Sequence, residues 1–108
     1  MAVPLYQAKA ELFRTLGHPV RIRVLELLQD GPRPVRDLLT AIEVEASNLS
    51  QQLAVLRRAG LVTARKEGPA VHYSVTSPEV PELMRVARSI LTGVLSGQIE
   101  LLEDLRTS

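Results

Sequence analysis

Residues 35 to 62 hold the pattern that most constrains the fold of this chain: two short helical segments joined by a tight connection. In the second segment Leu49, Leu53 and Leu56 fall within about 60° of one another on a helical wheel, which is the spacing of a buried stripe. The opposite face carries short hydroxyl and amide side chains and ends in arginine. Such a face suits a helix in the DNA major groove, because amides pair with base edges and arginine holds phosphate. The segment therefore predicts a helix-turn-helix.

The polar face supplies the candidate DNA-contacting residues. We expect four side chains to reach base edges: Ser47, Asn48, Gln51 and Gln52. We expect phosphate contacts from six others: Arg36, Ser50, Arg57, Arg58, Arg65 and Lys66. Two alternatives stay open, since these amides and hydroxyls can form an ordinary solvated helix face and Ser47 can cap the helix.

The distribution of charge supports a nucleic-acid partner. The net charge of the chain is only +1. Residues 14–66, however, carry nine basic against five acidic side chains, a balance of +4, whereas residues 79–108 carry three against five, a balance of −2. Positive charge therefore gathers around the predicted reading helix, as phosphate contacts require.

Proline and glycine delimit the remaining elements. We predict helices over residues 3–16, 19–29, 34–42, 46–59 and 79–106, and strands over 61–66 and 70–75. Gly68-Pro69 lies between the strands as a hairpin turn, and Gly60 lies where a left-handed helix cap belongs. A hairpin directly after a reading helix is the layout of a winged helix. The predicted fold class is mainly α with a small β-hairpin, in the order α-α-α-α-β-β-α, as a single domain over residues 1–108.

The last predicted helix carries more apolar surface than a small domain can cover. Its length is about 42 Å, which exceeds what a winged-helix body of this size should bury. We therefore expect a homodimer interface that joins the first and last helices, although an intramolecular core is the alternative. The expected interface residues are Leu5, Leu12, Leu16, Leu83, Ile90, Leu91, Val94, Leu95 and Leu102.

Composition excludes several classes of function. Hydrophobic residues make up 45% and aromatic residues 3%, which favours a core of packed aliphatic helices. The absence of cysteine excludes disulfides and thiolate metal ligands. No apolar run approaches the length of a membrane span and no secretory leader opens the chain, so we expect a cytoplasmic protein without a membrane partner. No catalytic constellation or phosphate-cradling loop is present, so we expect neither an enzyme nor a cofactor.

Three segments carry a resemblance to a known family: LFRTLGHPVRIRVLELL, SNLSQQLAVLRRAGLV and VTARKEGPAVHYSV. Together they resemble the ArsR/SmtB family of bacterial winged-helix repressors over almost the whole chain. The second is the most specific, because family members carry Ser, two further residues and then Leu-x-x-Leu-x-x-Ala-Gly-Leu-Val, which runs here from Ser50 to Val62. The resemblance implies a homodimeric repressor that binds an inverted-repeat operator in double-stranded DNA.

The chain departs from this family at the metal sites. Metal-sensing members carry a Cys-x-Cys-Asp-Leu type motif where this chain has Pro34, Arg36, Asp37 and Leu38. Others bind zinc through Asp and His of the last helix, but residues 79–108 contain no histidine. His18 is expected to cap or pack, and His72 to be structural or to face phosphate. We therefore expect no metal site and leave an unidentified small-molecule or protein effector open, with a winged-helix protein-binding adaptor as the alternative function.

Overall fold

The computed structural model describes residues 2–107, which contain five helices and three short strands. The elements are α1 Leu5–Leu16, α2 Pro19–Leu27, β1 Arg33–Pro34, α3 Val35–Ile42, α4 Ala46–Arg58, β2 Val62–Glu67, β3 Ala70–Val75 and α5 Glu79–Thr107. The strands form an antiparallel sheet in the order β1-β3-β2. The predicted winged-helix order is confirmed, with one addition: β1 pairs Arg33 with Tyr73 and Pro34 with His72. Two residues carry no period-2 alternation, so the sequence pattern did not reveal this strand.

Local hydrogen bonds explain where two of the helices begin and end. His18 precedes Pro19, and its Nδ1 accepts a hydrogen bond from the backbone N–H of Val20 at 3.2 Å, so it caps α2 as expected. At the end of α4, Gly60 has a φ of 78°. The N–H of Leu61 bonds to the carbonyl of Leu56, which closes a Schellman cap around Gly60. The predicted left-handed cap is confirmed.

The connection between α3 and α4 depends on an unusual backbone position. Glu43 ends α3 in the left-handed region with a φ of 59°, although it is not glycine. This conformation costs a residue with a side chain about 1 kcal/mol or more. Two residues later, Glu45 is extended and α4 begins at Ala46. Ser47 therefore lies inside the first turn of α4 and does not cap it.

The core is built where the helix-turn-helix, the wing and the base of α5 meet. Its buried members are Leu16, Val24, Leu25, Leu28, Leu38, Leu49, Leu53, Leu56, Val62 and Val80. The leucine stripe of α4, predicted from its spacing, is completely enclosed in this cluster. This packing fixes the face that α4 turns inward and leaves its polar face on the surface.

The terminal helices are mostly outside this core. Of the 29 residues of α5, only Val80 and Pro81 are buried, and nothing beyond Met84 packs against the core cluster. Leu16 lies in that cluster with 6% of its surface exposed, and it also lines the groove between α1, α2 and α5, so its place in a dimer seam stays a prediction. Leu12 and Leu83 also pack partly against the same core. Within residues 2–107 no helix is both long and apolar enough to cross a membrane.

Candidate nucleic-acid interface

The outward face of α4 presents a short row of polar side chains. Ser47, Ser50 and Gln51 are exposed there, and Arg57 and Arg58 are exposed at its C-terminal end. Hydroxyls, an amide and guanidinium groups on one exposed face can bond base edges and phosphate oxygens together. The burial of Leu49, Leu53 and Leu56 on the other side is what turns this row to the surface.

Gln52 does not belong to this row, and its predicted role is corrected. Only 9% of its surface is exposed, and its amide is used inside the protein. Nη1 of Arg21 donates to Gln52 Oε1 at 2.9 Å, and Gln52 Nε2 donates to Asn48 Oδ1 at 3.0 Å. Asn48 is half-buried at the edge of the row. Gln52 follows Leu49 by three positions and precedes Leu56 by four, so helical spacing itself places it beside the buried stripe, where Arg21 binds its amide.

Three exposed cationic side chains of α4 and the wing have no acidic partner among the described residues. Within residues 2–107, Arg57, Arg58 and Lys66 form no ion pair, whereas Arg36 lies 4.0 Å from Asp37 and Arg65 lies 3.5 Å from Glu67. All of these groups are well exposed, so their pairs are weak in water. The unpaired cations are therefore the strongest candidates for phosphate contacts.

The two basic residues of the wing point to opposite faces of the hairpin. Arg65 pairs in register with His72, and Lys66 pairs with Val71. Because neighbouring side chains on a strand alternate, Lys66 shares its face with Val62 and Ala64, and Arg65 lies on the other face. Arg65 and Lys66 of one wing therefore cannot both contact the same row of phosphates in the same way.

A shallow cleft of about 480 Å³ separates α4 from the wing. It is lined by Ser50, Ala54, Arg57, Arg58 and Tyr73. Sequence reasoning missed Tyr73, which lies on β3 opposite Ala64 on the sheet face toward α4. Its position between Val71 and Val75 in the period-2 alternation was the available signal. Tyr73 therefore lines the same cleft as the two unpaired arginines of α4.

A second surface feature lies between the terminal helices. An apolar groove of about 670 Å³ is lined mainly by residues of α1, α2 and α5, among them Phe13, Ile22, Met84, Ile90, Leu91 and Leu95. Phe13, Ile90, Leu91, Val94, Leu95 and Leu102 are each at least half exposed, as is Leu5. These exposed side chains include six of the nine residues expected in the dimer seam.

The histidines and acids show no arrangement for a metal in the part of the chain that is described. No three His, Cys, Asp or Glu side chains within residues 2–107 are grouped so that they can hold a metal ion. His72 is half-buried, and its Nδ1 is buried without a hydrogen bond, 3.9 Å from Glu67 Oε2. The Nδ1 side of the His72 ring is therefore packed inside the wing.

The sequence and the fold are similar to those of known regulators. Residues 18–64 match the bacterial regulatory proteins of the arsR family. The HTH-type transcriptional regulator Rv0081 of Mycobacterium tuberculosis is 56% identical over 104 residues, which cover 95% of this chain and 91% of the relative. Its crystal structure aligns with a TM-score of 0.82 at 54% identity, covering 91% of this chain and 99% of that one.

Two more distant structures share the architecture. The transcriptional repressor BigR from Xylella fastidiosa aligns with a TM-score of 0.74 at 33% identity, covering 79% of this chain and 87% of its own. A homodimeric winged helix-turn-helix DNA-binding domain from Mycobacterium bovis, Mb0332, aligns with a TM-score of 0.75 at 28% identity over 86% of each chain. From the matched helix-turn-helix and the near full-length similarity to Rv0081, this chain belongs to the ArsR family of bacterial transcriptional regulators, which are not enzymes.

Proposed function

We propose that this protein is a homodimeric transcriptional repressor that binds an inverted-repeat operator in double-stranded DNA. The observation that carries the proposal is the exposed polar row of α4, flanked by the unpaired cations Arg57, Arg58 and Lys66. A helix of this kind fits the major groove, and the cations neutralise phosphates on both sides of it. Repression is favoured because BigR, which shares the fold, is described as a repressor.

The burial of individual residues refines their roles. We assign base contacts to Ser47, Asn48 and Gln51, and we leave out Gln52 because it is buried. Phosphate contacts go to exposed side chains of α3, α4 and the wing: Arg36, Ser50, Arg57, Arg58, Arg65 and Lys66. Base contacts then determine which sequence is bound, and phosphate contacts determine most of the affinity.

The proposed dimer uses the exposed apolar side chains of the terminal helices. Leu5, Ile90, Leu91, Val94, Leu95 and Leu102 are all at least half exposed in the single chain. A patch of this kind on a small protein is typical of an interaction surface. The description of Mb0332 as a homodimer supports a second copy of the chain as the partner. Two copies related by a two-fold axis place two α4 helices on successive major grooves.

The proposed repressor does not sense metal through the usual family positions. Pro34 and Arg36 replace the two cysteines of α3, and α5 contains no histidine. Carboxylates alone are a poor site for zinc or cadmium, whose protein ligands are mainly nitrogen and sulfur. An effector, if one acts, is therefore of another chemical class.

The test is selection of binding sites from random double-stranded DNA by the purified protein. We expect selected fragments to contain two copies of a short half-site in inverted orientation, with centres about 10 base pairs apart. Affinity for them should fall steeply with salt, because phosphate contacts release counterions. Selection of single, unpaired half-sites would contradict the dimeric arrangement. No salt-dependent binding to any DNA would favour the protein-binding adaptor.

A further inference from the structure

A chain of hydrogen bonds leads from the end of α1 to the DNA-facing edge of α4. Nε of Arg21 donates to the backbone carbonyl of Thr15 at 2.6 Å, and Nη1 donates to Gln52 Oε1 at 2.9 Å. Gln52 Nε2 then donates to Asn48 Oδ1 at 3.0 Å. Arg21 is half-buried and has no acidic partner within residues 2–107, so neutral oxygens are its recorded partners. Three side chains from α2 and α4 are thereby fixed relative to one another.

The donor and acceptor groups of these side chains determine which atoms face each other in this series of hydrogen bonds. The guanidinium of Arg21 has donors only, so the atom of Gln52 that faces it must be the carbonyl oxygen. The amide nitrogen of Gln52 is then left for Asn48, and a donor can face only an acceptor. Asn48 must therefore turn its Oδ1 inward. The oxygen and nitrogen of an amide are usually hard to tell apart, but here Arg21 fixes the orientation of Gln52, and Gln52 fixes that of Asn48.

As a consequence, the group that Asn48 exposes to solvent is its amide nitrogen. Within residues 2–107 the sole buried side-chain nitrogen or oxygen without a partner is Nδ1 of His72. The Asn48 amide nitrogen makes no hydrogen bond there, so it is open to solvent. Asn48 therefore presents N–H donors outward, while its oxygen is held by Gln52.

We propose that Arg21 and Gln52 form a directional relay that presents Asn48 as a donor and thereby selects guanine at one position of each half-site. This inference rests on the proposed function. Guanine carries two acceptors, N7 and O6, on its major-groove edge. The familiar pairing of asparagine with adenine needs the amide oxygen and nitrogen together. The relay opposes that pairing because it turns the oxygen away. Arg21 and Gln52 are positioning residues, and Asn48 is the contact.

Three variants test the relay by the identity of the selected base. Asn48→Ala should remove the preference at one position per half-site, which locates the contact. Gln52→Glu replaces the amide by a carboxylate, which accepts from Arg21 and from Asn48 at once. Asn48 must then turn its nitrogen inward and its oxygen outward, toward a base that donates. At the located position, selection should change from guanine to cytosine or adenine, with about a tenfold change in relative affinity.

The matched control is Gln51→Glu, which adds the same charge at the neighbouring residue outside the relay. It should weaken binding to all DNA through repulsion of phosphate and alter the preference at the base pair that Gln51 itself contacts, but keep guanine at the position located by Asn48→Ala. A Gln52→Glu protein that still selects guanine there would overturn the relay, and so would an Asn48→Ala protein with unchanged selection. If the wild-type protein selects no sequence, the proposed function fails and the relay fails with it.

A measurement on the DNA-free protein tests the same polarity if Gln52→Glu does not fold, as judged by circular dichroism. In the wild-type protein labelled with nitrogen-15, hydrogen exchange of side-chain amides is measured by NMR. We expect an amide proton of Gln52 to exchange more slowly than the amide protons of Asn48 and of the exposed Gln51. Protected Asn48 protons with freely exchanging Gln52 protons would show the opposite polarity and overturn the relay.

Discussion

Leucine has two different environments in this molecule. In α2, α3 and α4, Leu25, Leu38 and Leu49 are completely buried, whereas in α5 Leu91 and Leu95 expose more than half of their surface. The helix-turn-helix therefore buries its apolar side chains within one chain, whereas α5 leaves its own exposed. The proposed pairing of the terminal helices would cover the apolar side chains that α5 leaves exposed.

The two regions also differ in polar contacts. In the winged-helix body, side-chain hydrogen bonds join different elements, such as Arg21 to Gln52 and Arg33 to the carbonyl of Leu27. In α5 Arg85 bonds to Glu82, Thr92 to the carbonyl of Arg88 and Thr107 to the carbonyl of Asp104, each three or four positions away on the same helix. These contacts of the body thus connect different elements, whereas those of α5 connect neighbouring turns of one helix.

The largest effect should come from charges placed in the proposed seam. Leu91→Glu combined with Leu95→Glu buries two unpaired carboxylates in any apolar dimer interface, at a cost of several kcal/mol. Sedimentation should then show monomers or unfolded protein. The control is Ser89→Glu combined with Ser96→Glu, which adds the same charge on the opposite side of α5 and should remain dimeric. A folded dimer formed by the leucine variant would refute this interface.

The second effect should come from the winged-helix core. Leu25→Ala removes a completely buried side chain, and we expect a loss of about 2–5 kcal/mol in the free energy of unfolding. Ser89→Ala truncates a side chain that is exposed on the side of α5 opposite the proposed seam. It should change stability by no more than about 0.5 kcal/mol. Urea titration of both variants measures the difference, and equal losses would break the distinction between the two regions.

A smaller effect should come from glycines in the two regions. Gly60→Ala forces a side chain into a φ of 78° and should destabilise the protein by about 1 kcal/mol. Gly93 lies inside α5, and a Cβ added there meets no atom within 4 Å. Gly93→Ala should therefore leave stability unchanged or raise it by up to about 1 kcal/mol, because alanine favours helix. Thermal melts measure whether each variant loses or gains stability. A stabilising Gly60→Ala would contradict the left-handed cap at Gly60.

We expect metal ions to have no effect on the affinity of the protein for its operator. If the terminal helices serve assembly and not sensing, operator affinity should be the same with chelator as with added zinc, cadmium or arsenite. The chain has no cysteine to bind arsenite and no histidine in α5 to bind zinc. Titration of fluorescent operator DNA under each condition checks this. A tightly bound stoichiometric metal that releases DNA would overturn the prediction and would require carboxylate ligands.

Local patterns were sufficient to predict most of the fold. The α4 stripe, the His18 cap and the Gly60 cap each depend on residues a few positions apart, so the sequence alone could reveal them. Errors arose where a distant residue decides the outcome. Strand β1 exists because it pairs with β3, and the amide of Gln52 is bonded to Arg21, 31 residues away, although its spacing from Leu49 and Leu56 already places Gln52 on the buried face. Periodicity cannot identify such partners.

The central claim is that α4 reads bases while the wing holds phosphate, and two alanine variants test it together. Gln51→Ala removes an exposed amide without changing charge, and Lys66→Ala removes an unpaired cation. The measurement is a salt titration of both proteins on the selected operator and on scrambled DNA.

We predict that Gln51→Ala loses about 1–3 kcal/mol on the operator and relaxes preference at one base pair per half-site, with binding to scrambled DNA unchanged. Lys66→Ala should weaken binding to both DNAs equally and reduce the salt slope by about one for each contact removed. If Gln51→Ala keeps the full preference of the wild-type protein for the operator, α4 does not read bases in the way proposed.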